Sequence, residues 1–101
     1  MNRVNLHPEA EEELRQSEAF YLERGGHELA ADFVARVRTA LKLIARDPVR
    51  FPLLVKYPIV RKCRVARFPF TIYYMKRTGY LWVIAVAHAK RRPEYWAQRL
   101  E

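Results

Sequence analysis

The sequence predicts an α+β fold of the order β-α-α-β-β-β, in which an N-terminal helical hairpin packs on one face of a small, mainly antiparallel sheet. Apolar residues return every three or four positions between residues 8 and 45, which is the period of a helix. From residue 59 onward they alternate with polar residues, which is the period of a strand. The connections between these later segments are short, so the strands are expected to be antiparallel. The chain has 101 residues, enough for one core, and we predict a single domain spanning residues 1–101.

The first strand and the first helix are predicted from the alternation over Arg3–Leu6 and from the proline that follows it. Pro8 suits the first position of a helix, where its missing N–H is not needed. The helix should end at Gly25 and Gly26, because glycine accepts the left-handed conformation of a helix terminus. Its inward face is predicted to comprise Ala10, Leu14, Ser17 and Tyr21. Four glutamates lie where the helix dipole favours negative charge, and we expect them to be solvated: Glu9, Glu11, Glu12 and Glu13.

The second helix is predicted over Glu28–Ala45, and Asp47 should stop it because a residue before proline is pushed out of helical geometry. With two glycines between the helices, the hairpin must be tight and antiparallel. A core stripe runs along this helix, formed by Ala30, Phe33, Val37, Ala40 or Leu41, and Ile44.

The remaining strands are predicted over Ile59–Ala66, Phe68–Lys76 and Tyr80–His88, with a turn at residues 77–79 between the last two. The preceding segment, Pro48–Pro58, contains three prolines and five large apolar residues, so we expect a loop that packs against the core.

The last strand is predicted to be apolar on both faces. Simple alternation assigns Leu81, Val83, Ala85 and Ala87 to one face, and Trp82, Ile84 and Val86 to the other. A single helical hairpin covers one face of a sheet. The second face must therefore be covered by the proline-rich loop, by the tail around Trp96, or by a partner chain.

The formal charge of +8 is unevenly distributed along the chain. Residues 1–30 hold three arginines against seven glutamates, whereas residues 31–101 hold sixteen Lys and Arg against four acidic residues. The second helix and the sheet therefore form the basic surface. Such a surface favours a polyanionic partner, either nucleic acid or an acidic protein segment, and the alternative is that the charge serves solubility.

Cysteine content and hydropathy predict a cytoplasmic protein. Cys63 is the one cysteine, so no internal disulfide is possible. The first residues contain no apolar signal region, and no apolar run reaches the length of a membrane span. His27 has no second histidine at the spacing of a metal site, and we predict neither a metal nor a cofactor.

Titratable, basic and aromatic side chains follow the last predicted strand over residues 88–96. Metal-free RNA cleavage uses the 2′-hydroxyl as nucleophile and needs a proton-transfer pair and cations on the phosphate. His88 is the candidate base or acid, because it titrates near neutral pH. Tyr95 is the candidate for the other proton transfer, or a platform that stacks on a base.

Basic side chains of the second predicted strand complete this candidate site. Arg67 closes that strand and joins the catalytic set with His88 and Tyr95. Lys62 and Arg64 share one face, opposite Cys63. The residues predicted to bind phosphate or an acidic partner are Lys62, Arg64, Arg91 and Arg92.

Several of these residues have an equally simple structural interpretation. His88 could hydrogen-bond a backbone group where the strand leaves the sheet. Arg91 could stack on Trp96 or Tyr95, or bind a partner carboxylate. Trp96 is interpreted as a hydrophobic anchor that folds the tail back.

The segment FPFTIYY (residues 68–74), paired with VIAVAHAKRRPEYW (residues 83–96) behind a helical hairpin, resembles the RelE/ParE superfamily of bacterial type II toxin-antitoxin toxins, also called plasmid-stabilisation proteins. The resemblance covers nearly the whole chain. The pattern H-x-x-R-x-P-x-Y-W favours the ParE-like branch, and it is formed by His88, Arg91, Pro93, Tyr95 and Trp96.

The resemblance implies a growth-inhibitory toxin with a RelE-like fold, neutralised by a cognate antitoxin through an acidic, partly disordered segment. ParE-like members poison DNA gyrase through protein contacts, and gyrase is the expected target. RelE-like members instead cut ribosome-bound messenger RNA, so a metal-free endoribonuclease is the alternative. By this resemblance the sheet arginines are Arg64 and Arg67, and the carboxyl-terminal set is His88, Arg91 and Tyr95.

Overall fold

The structure is a computed structural model that describes residues 1–100. Its sheet has four strands, three of them antiparallel neighbours, and a long helical segment lies between the first strand and the second, so the predicted α+β fold is confirmed. The elements are β1 (Val4–Leu6), α1 (Pro8–Arg46), a 3-10 helix (Pro48–Arg50), β2 (Val60–Arg64), β3 (Phe70–Arg77), β4 (Tyr80–His88) and a second 3-10 helix (Ala97–Leu100).

Helix α1 reverses direction at Gly26, where φ is 74° and ψ is −169°. A straight helix of its 39 residues would be about 58 Å long, whereas the longest principal dimension of the molecule is 38 Å. The rings of Tyr21 and Phe33 lie 5.0 Å apart, on opposite sides of the reversal. The predicted hairpin is therefore confirmed, with a first arm (residues 8–25) and a second arm (residues 27–46). No helix within residues 1–100 is both long enough and apolar enough to cross a membrane.

The start of α1 has the predicted features and one additional cap. Pro8 occupies the first turn, and the Nδ1 of His7 accepts the N–H of Glu9 at 3.0 Å. The predicted inward stripe of the second arm is buried at Ala30, Phe33, Val37, Ala40 and Ile44.

The strand order across the sheet is β1-β4-β3-β2. β3 pairs with β2 and β4 in antiparallel fashion, and β1 pairs with β4 in parallel. β4 is thus an inner strand, which explains its long apolar run.

A β-bulge in β4 changes which face each of its later residues occupies. Tyr73 pairs with Ala85 and Tyr74 pairs with Val83, so Ile84 is an extra residue in β4. The predicted faces are correct as far as Ile84 and wrong beyond it. Val86 lies on the helical side, whereas Ala85 and Ala87 lie on the opposite side, because one inserted residue reverses a period of two.

The second face of the sheet is covered by the carboxyl-terminal tail and the proline-rich loop. Trp96 is 1% exposed, and its ring lies 4.9 Å from that of Tyr73 and 5.3 Å from that of Tyr57. Leu54 and Tyr57 of the loop pack on the same cluster. Two of the three coverings expected from the sequence thus act together within one chain.

The proline-rich loop also pairs with the edge of β2. The Leu54 N–H donates to Val60 O at 2.8 Å, and the Lys62 N–H donates to Pro52 O at 3.1 Å. The outer side of the loop is apolar and solvent-facing, with Val55 fully exposed and Ile59 58% exposed. The loop packs as predicted on its inner side.

Candidate functional site

A cleft of about 160 Å³ opens where β4 ends, between the ends of β3 and β4 and the tail. Thr71 and Tyr73 form its floor on the sheet. The predicted site residues that line it are His88, Arg91, Arg92, Tyr95 and Trp96. These residues are close in sequence, so the end of one strand is sufficient to bring them together.

Basic side chains of β2 adjoin this cleft. Lys62 and Arg64 line a neighbouring hollow that shares Thr71, Tyr73 and Ala89 with the cleft. The pairing of Lys62 with Tyr73 and of Arg64 with Thr71 places these cations beside the cleft floor. The register of the sheet therefore places the predicted cations of β2 next to those of the tail.

Arg67 lies apart from both hollows. It is exposed, with a φ of 71°, in the turn between β2 and β3. The structure thus places seven of the eight predicted site residues around the two hollows and leaves Arg67 outside them.

His88 is half-buried at the end of β4, and one of its ring nitrogens has a backbone partner. The Lys90 N–H donates to its Nδ1 at 3.0 Å, and its ring lies 5.0 Å from Phe70 in an edge-on arrangement. An imidazole whose Nδ1 accepts a hydrogen bond carries its proton on Nε2. In this tautomer the Nε2 of His88 is a hydrogen-bond donor.

The hydroxyl of Tyr95 is directed to a carboxylate. It donates to Glu13 Oε2 at 2.6 Å, and Tyr95 is 8% exposed. Burial, together with this carboxylate, raises the pKa of the Tyr95 phenol, so the phenol keeps its proton at neutral pH. The ring face is covered by Arg91, whose guanidinium carbon lies 3.7 Å from the ring centroid.

Glu13 is the residue that sequence analysis misjudged. Its side chain is 12% exposed, and it accepts hydrogen bonds from Tyr95 Oη, from Arg99 Nη2 at 3.0 Å and from the Val86 N–H at 3.0 Å. The prediction that it is solvated is wrong. Its spacing was the available signal, because Glu13 lies three residues after Ala10 and so falls on the inward face of the first arm.

Arg99 was also missed, because nothing near it in the sequence marks a buried cation. It is 7% exposed and donates from Nη1 to Ile84 O at 3.1 Å. Its Nη2 lies 3.0 Å from Glu13 Oε2 and 3.5 Å from Glu9 Oε1. The guanidinium therefore joins the tail to both β4 and the first arm.

Glu13, Tyr95 and Arg99 form a unit that we call the edge clasp. β1 pairs with β4 only as far as Val83, and beyond that point Glu13 and Arg99 bind the Val86 N–H and the Ile84 carbonyl. Side chains thus satisfy the backbone groups that a longer β1 would have paired. The clasp fixes the tail, and with it the wall of the cleft.

The chain is similar to proteins of one family. It matches the family model described as ParE toxin of type II toxin-antitoxin system, parDE, over residues 4–93. A solved structure described as the chromosomal ParDE TA system from P. aeruginosa is 16% identical, with a TM-score of 0.78, over 89% of this chain and 98% of that chain. This likeness shows the fold alone. No curated protein matches the sequence.

Proposed function

The chain belongs to the ParE toxin family of type II toxin-antitoxin systems, and from this premise we propose that it inhibits growth by binding DNA gyrase and that an acidic cognate antitoxin neutralises it. The state of Tyr95 is the observation that favours inhibition by protein contact over inhibition by a catalysed reaction. Its phenol is buried, and its hydroxyl donates a hydrogen bond to Glu13. It is therefore poorly placed to exchange a proton with a substrate in the cleft.

The second proton-transfer candidate is restrained in a similar way. His88 accepts a backbone N–H on Nδ1, and this bond would be lost if the ring were protonated on both nitrogens. The cations that line the cleft suit recognition of an acidic protein surface. The site of action proposed here is the cytoplasm.

A metal-free endoribonuclease acting on ribosome-bound messages is the second candidate. The observation that favours it is the position of Lys62 and Arg64, which adjoin the cleft that holds His88 and Arg91. Together these groups could hold a phosphate beside the Nε2 of His88. In that reaction the imidazolium form of His88, which gives up the bond from the Lys90 N–H, would protonate the leaving oxygen from Nε2. Water would take the proton of the attacking 2′-hydroxyl, and a cation would stabilise the charged phosphate.

The experiment that tests the proposal is induction of the chain alone in a bacterial host. Gyrase-linked DNA breaks and the 5′ ends of translated transcripts are mapped in the same culture. We expect DNA breaks with intact transcripts, and we expect His88→Ala to retain both toxicity and breaks. The matched control is His27→Ala, which removes an exposed imidazole at the hairpin turn.

The same experiment contains the result that overturns the proposal. New transcript ends that depend on translation and vanish with His88→Ala, but not with His27→Ala, would establish the endoribonuclease. Normal growth with neither signal would contradict both targets.

A further inference from the structure

A second hollow lies at the end of the sheet where β4 begins, opposite the cleft at the end of that strand. Its volume is about 550 Å³, which is within the range of small-molecule sites, about 300–1,000 Å³. The residues before β1 and the turn between β3 and β4 form it, so we call it the turn hollow. The side chains used below are those of Arg3, Lys76, Arg77 and Tyr80.

Backbone pairing brings these distant residues together. The Leu81 N–H donates to Arg3 O at 2.8 Å, which places the start of the chain beside the start of β4. Lys76 pairs with Leu81, and Arg77 pairs with Tyr80 across the turn. Two segments far apart in the sequence therefore contribute three cations to one hollow.

These three cations have no acidic neighbour to neutralise them. Within residues 1–100, no ion pair includes Arg3, Lys76 or Arg77, and no acidic side chain lines the hollow. At the cleft end of the sheet, by contrast, Arg91 lies within ion-pair distance of Glu13. Like charges that share a hollow repel one another, and a bound anion would relieve that repulsion.

Arg77 has a donor that no group in the described part of the chain satisfies. Its Nε is buried and has no hydrogen-bond partner there. A buried donor of this kind is costly, and a bound ion is one of its common explanations. The guanidinium carbon lies 5.6 Å from the centroid of the Trp82 ring, which holds the side chain in place. The hollow is therefore lined by an arginine that is held in position and lacks an acceptor.

An aromatic ring beside the cations indicates what kind of anion fits. Tyr80 is half-buried, lines the hollow and lies 5.9 Å from Trp82 in an edge-on arrangement. Arginine binds phosphate oxygens through paired N–H groups, and tyrosine rings stack on nucleobases. A nucleotide carries both groups on one molecule. A triphosphate also concentrates several negative charges, which matches three cations better than a single carboxylate does.

We propose that the turn hollow is a second ligand site, which binds a nucleotide with its phosphates on Arg3, Lys76 and Arg77 and its base against Tyr80. A free nucleoside triphosphate and a nucleotide within a single DNA strand have this chemistry in common. The site is separate from the cleft, and the inference does not depend on the proposed function.

The test is calorimetric titration of the purified chain with three probes: ATP, inorganic tripolyphosphate and a short oligothymidylate. We expect ATP to bind more tightly than tripolyphosphate, because only ATP has a base that can stack on Tyr80. Tighter binding of ATP than of the oligothymidylate would assign the site to a free nucleotide. The reverse order would assign it to a nucleotide in a strand.

Substitutions locate the binding on the protein. Arg77→Gln should weaken ATP binding by about tenfold or more, because a charged donor to phosphate is lost. Arg3→Gln, at an exposed residue of the other segment, should weaken it in the same direction. The matched control is Arg50→Gln, because the Arg50 guanidinium carbon also lies 5.6 Å from an aromatic ring, that of Phe51, but outside the hollow. We expect this control to retain its affinity for ATP.

Nuclear magnetic resonance provides a readout that needs no variant. Addition of ATP should shift the amide signals of Gly79 and Tyr80, which line the turn hollow, and leave that of Ala89, which lines the cleft, unchanged. Shifts at Gly79 and Tyr80 together with the effect of Arg77→Gln support the site.

Contrary results are equally specific. Equal weakening by Arg50→Gln would show general attraction to a chain of charge +8 and overturn the site. Shifts at Ala89 alone would place the phosphates in the cleft instead. ATP that binds no more tightly than tripolyphosphate, or less tightly than an acidic peptide, overturns the nucleotide as the ligand. Absence of binding by all three probes overturns the proposal and leaves the proposed function in place.

Discussion

Glu13 is the residue on which the most groups converge. One carboxylate binds a phenol, a guanidinium and a backbone N–H, and Arg91 Nη1 lies 3.8 Å from its Oε2. A buried carboxylate is tolerated when partners of this kind compensate its lost hydration. Glu13 therefore connects the first arm, β4 and the tail.

Replacement of Glu13 tests this role at the residue scale. Glu13→Gln keeps the size of the side chain and removes its charge, so the buried guanidinium of Arg99 loses its carboxylate. We expect the free energy of unfolding to fall by about 3 kcal/mol, as when one partner of a buried ion pair is removed. Denaturant unfolding at neutral pH measures the change.

The control for this prediction is Glu12→Gln, one residue earlier on the same helix. Glu12 forms an exposed pair with Arg15, and such pairs contribute at most about 1 kcal/mol. Equal losses of unfolding free energy in the two variants would show that the carboxylate of the edge clasp contributes no more to stability than an exposed ion pair.

At the scale of elements, Gly26 determines how the two arms of α1 meet. Its φ of 74° and ψ of −169° lie in a region that is open essentially to glycine alone. A Cβ at this position would have no heavy atom within 4 Å outside the neighbouring residues. The need for glycine is thus one of backbone conformation, and not one of space.

Gly26→Ala is therefore expected to destabilise the chain through backbone strain. The expected loss is about 1–3 kcal/mol, although alanine is the better helix former. Thermal or denaturant unfolding measures it. Ala31→Gly, at an exposed helical position, gives the reference for helix propensity, which is about 1 kcal/mol. If Gly26→Ala stabilised the chain, the strain argument would be wrong.

The bulge at Ile84 has an effect beyond its own position. It turns Val86 toward the helices. At the bulge, the Ile84 carbonyl accepts from Arg99 and the Val86 N–H donates to Glu13. Bulges of this kind often re-aim side chains beside functional sites. Here the bulged strand leads into the cleft at His88.

At the scale of the whole molecule, one sheet is covered on both faces by a single short chain. The helical hairpin covers one face, and the tail with the proline-rich loop covers the other. Lys56 and Glu94 connect loop and tail through a 3.1 Å ion pair. Buried phenols lie on both sides of the sheet: Tyr74 packs on the side of the hairpin, and Tyr95, in the tail, packs on the opposite side.

These phenols predict a loss of stability in alkali. Burial raises the pKa of Tyr74 to about 12 and raises that of Tyr95 as well. Because both folded values lie above the ordinary value of about 10, the folded chain binds more protons than the unfolded chain. The stabilisation is complete below about pH 10 and is lost as pH rises through the folded values.

Urea unfolding at a series of pH values from 8 to above 11 would measure this loss, which we expect to reach about 2 kcal/mol. Tyr74→Phe and Tyr95→Phe should each flatten the alkaline slope. Each variant should also be less stable at neutral pH, since its hydroxyl bond to Pro48 O or Glu13 is lost. An unchanged alkaline slope of stability in both variants would contradict the assignment of this loss to the two phenols.

Much of the fold and of the cleft follows from local patterns. The change of period from helix to strand, the glycine pair and Pro8 predict the hairpin and the sheet. The cleft residues from His88 to Trp96 are adjacent in sequence, so a strand end was enough to collect them. The family resemblance noted from the same residues is confirmed over residues 4–93.

The sequence by itself thus determined the order of the elements, the faces of the helices, the basic surface and the family, because each depends on residues near one another in the chain. Only the tertiary structure decided the bulge at Ile84, the burial of Glu13 with Arg99, and the proton partner of Tyr95. The physical reason is distance along the chain, since Glu13 meets Arg99 across 86 positions. Whether a carboxylate is solvated or buried depends on what such distant segments place around it.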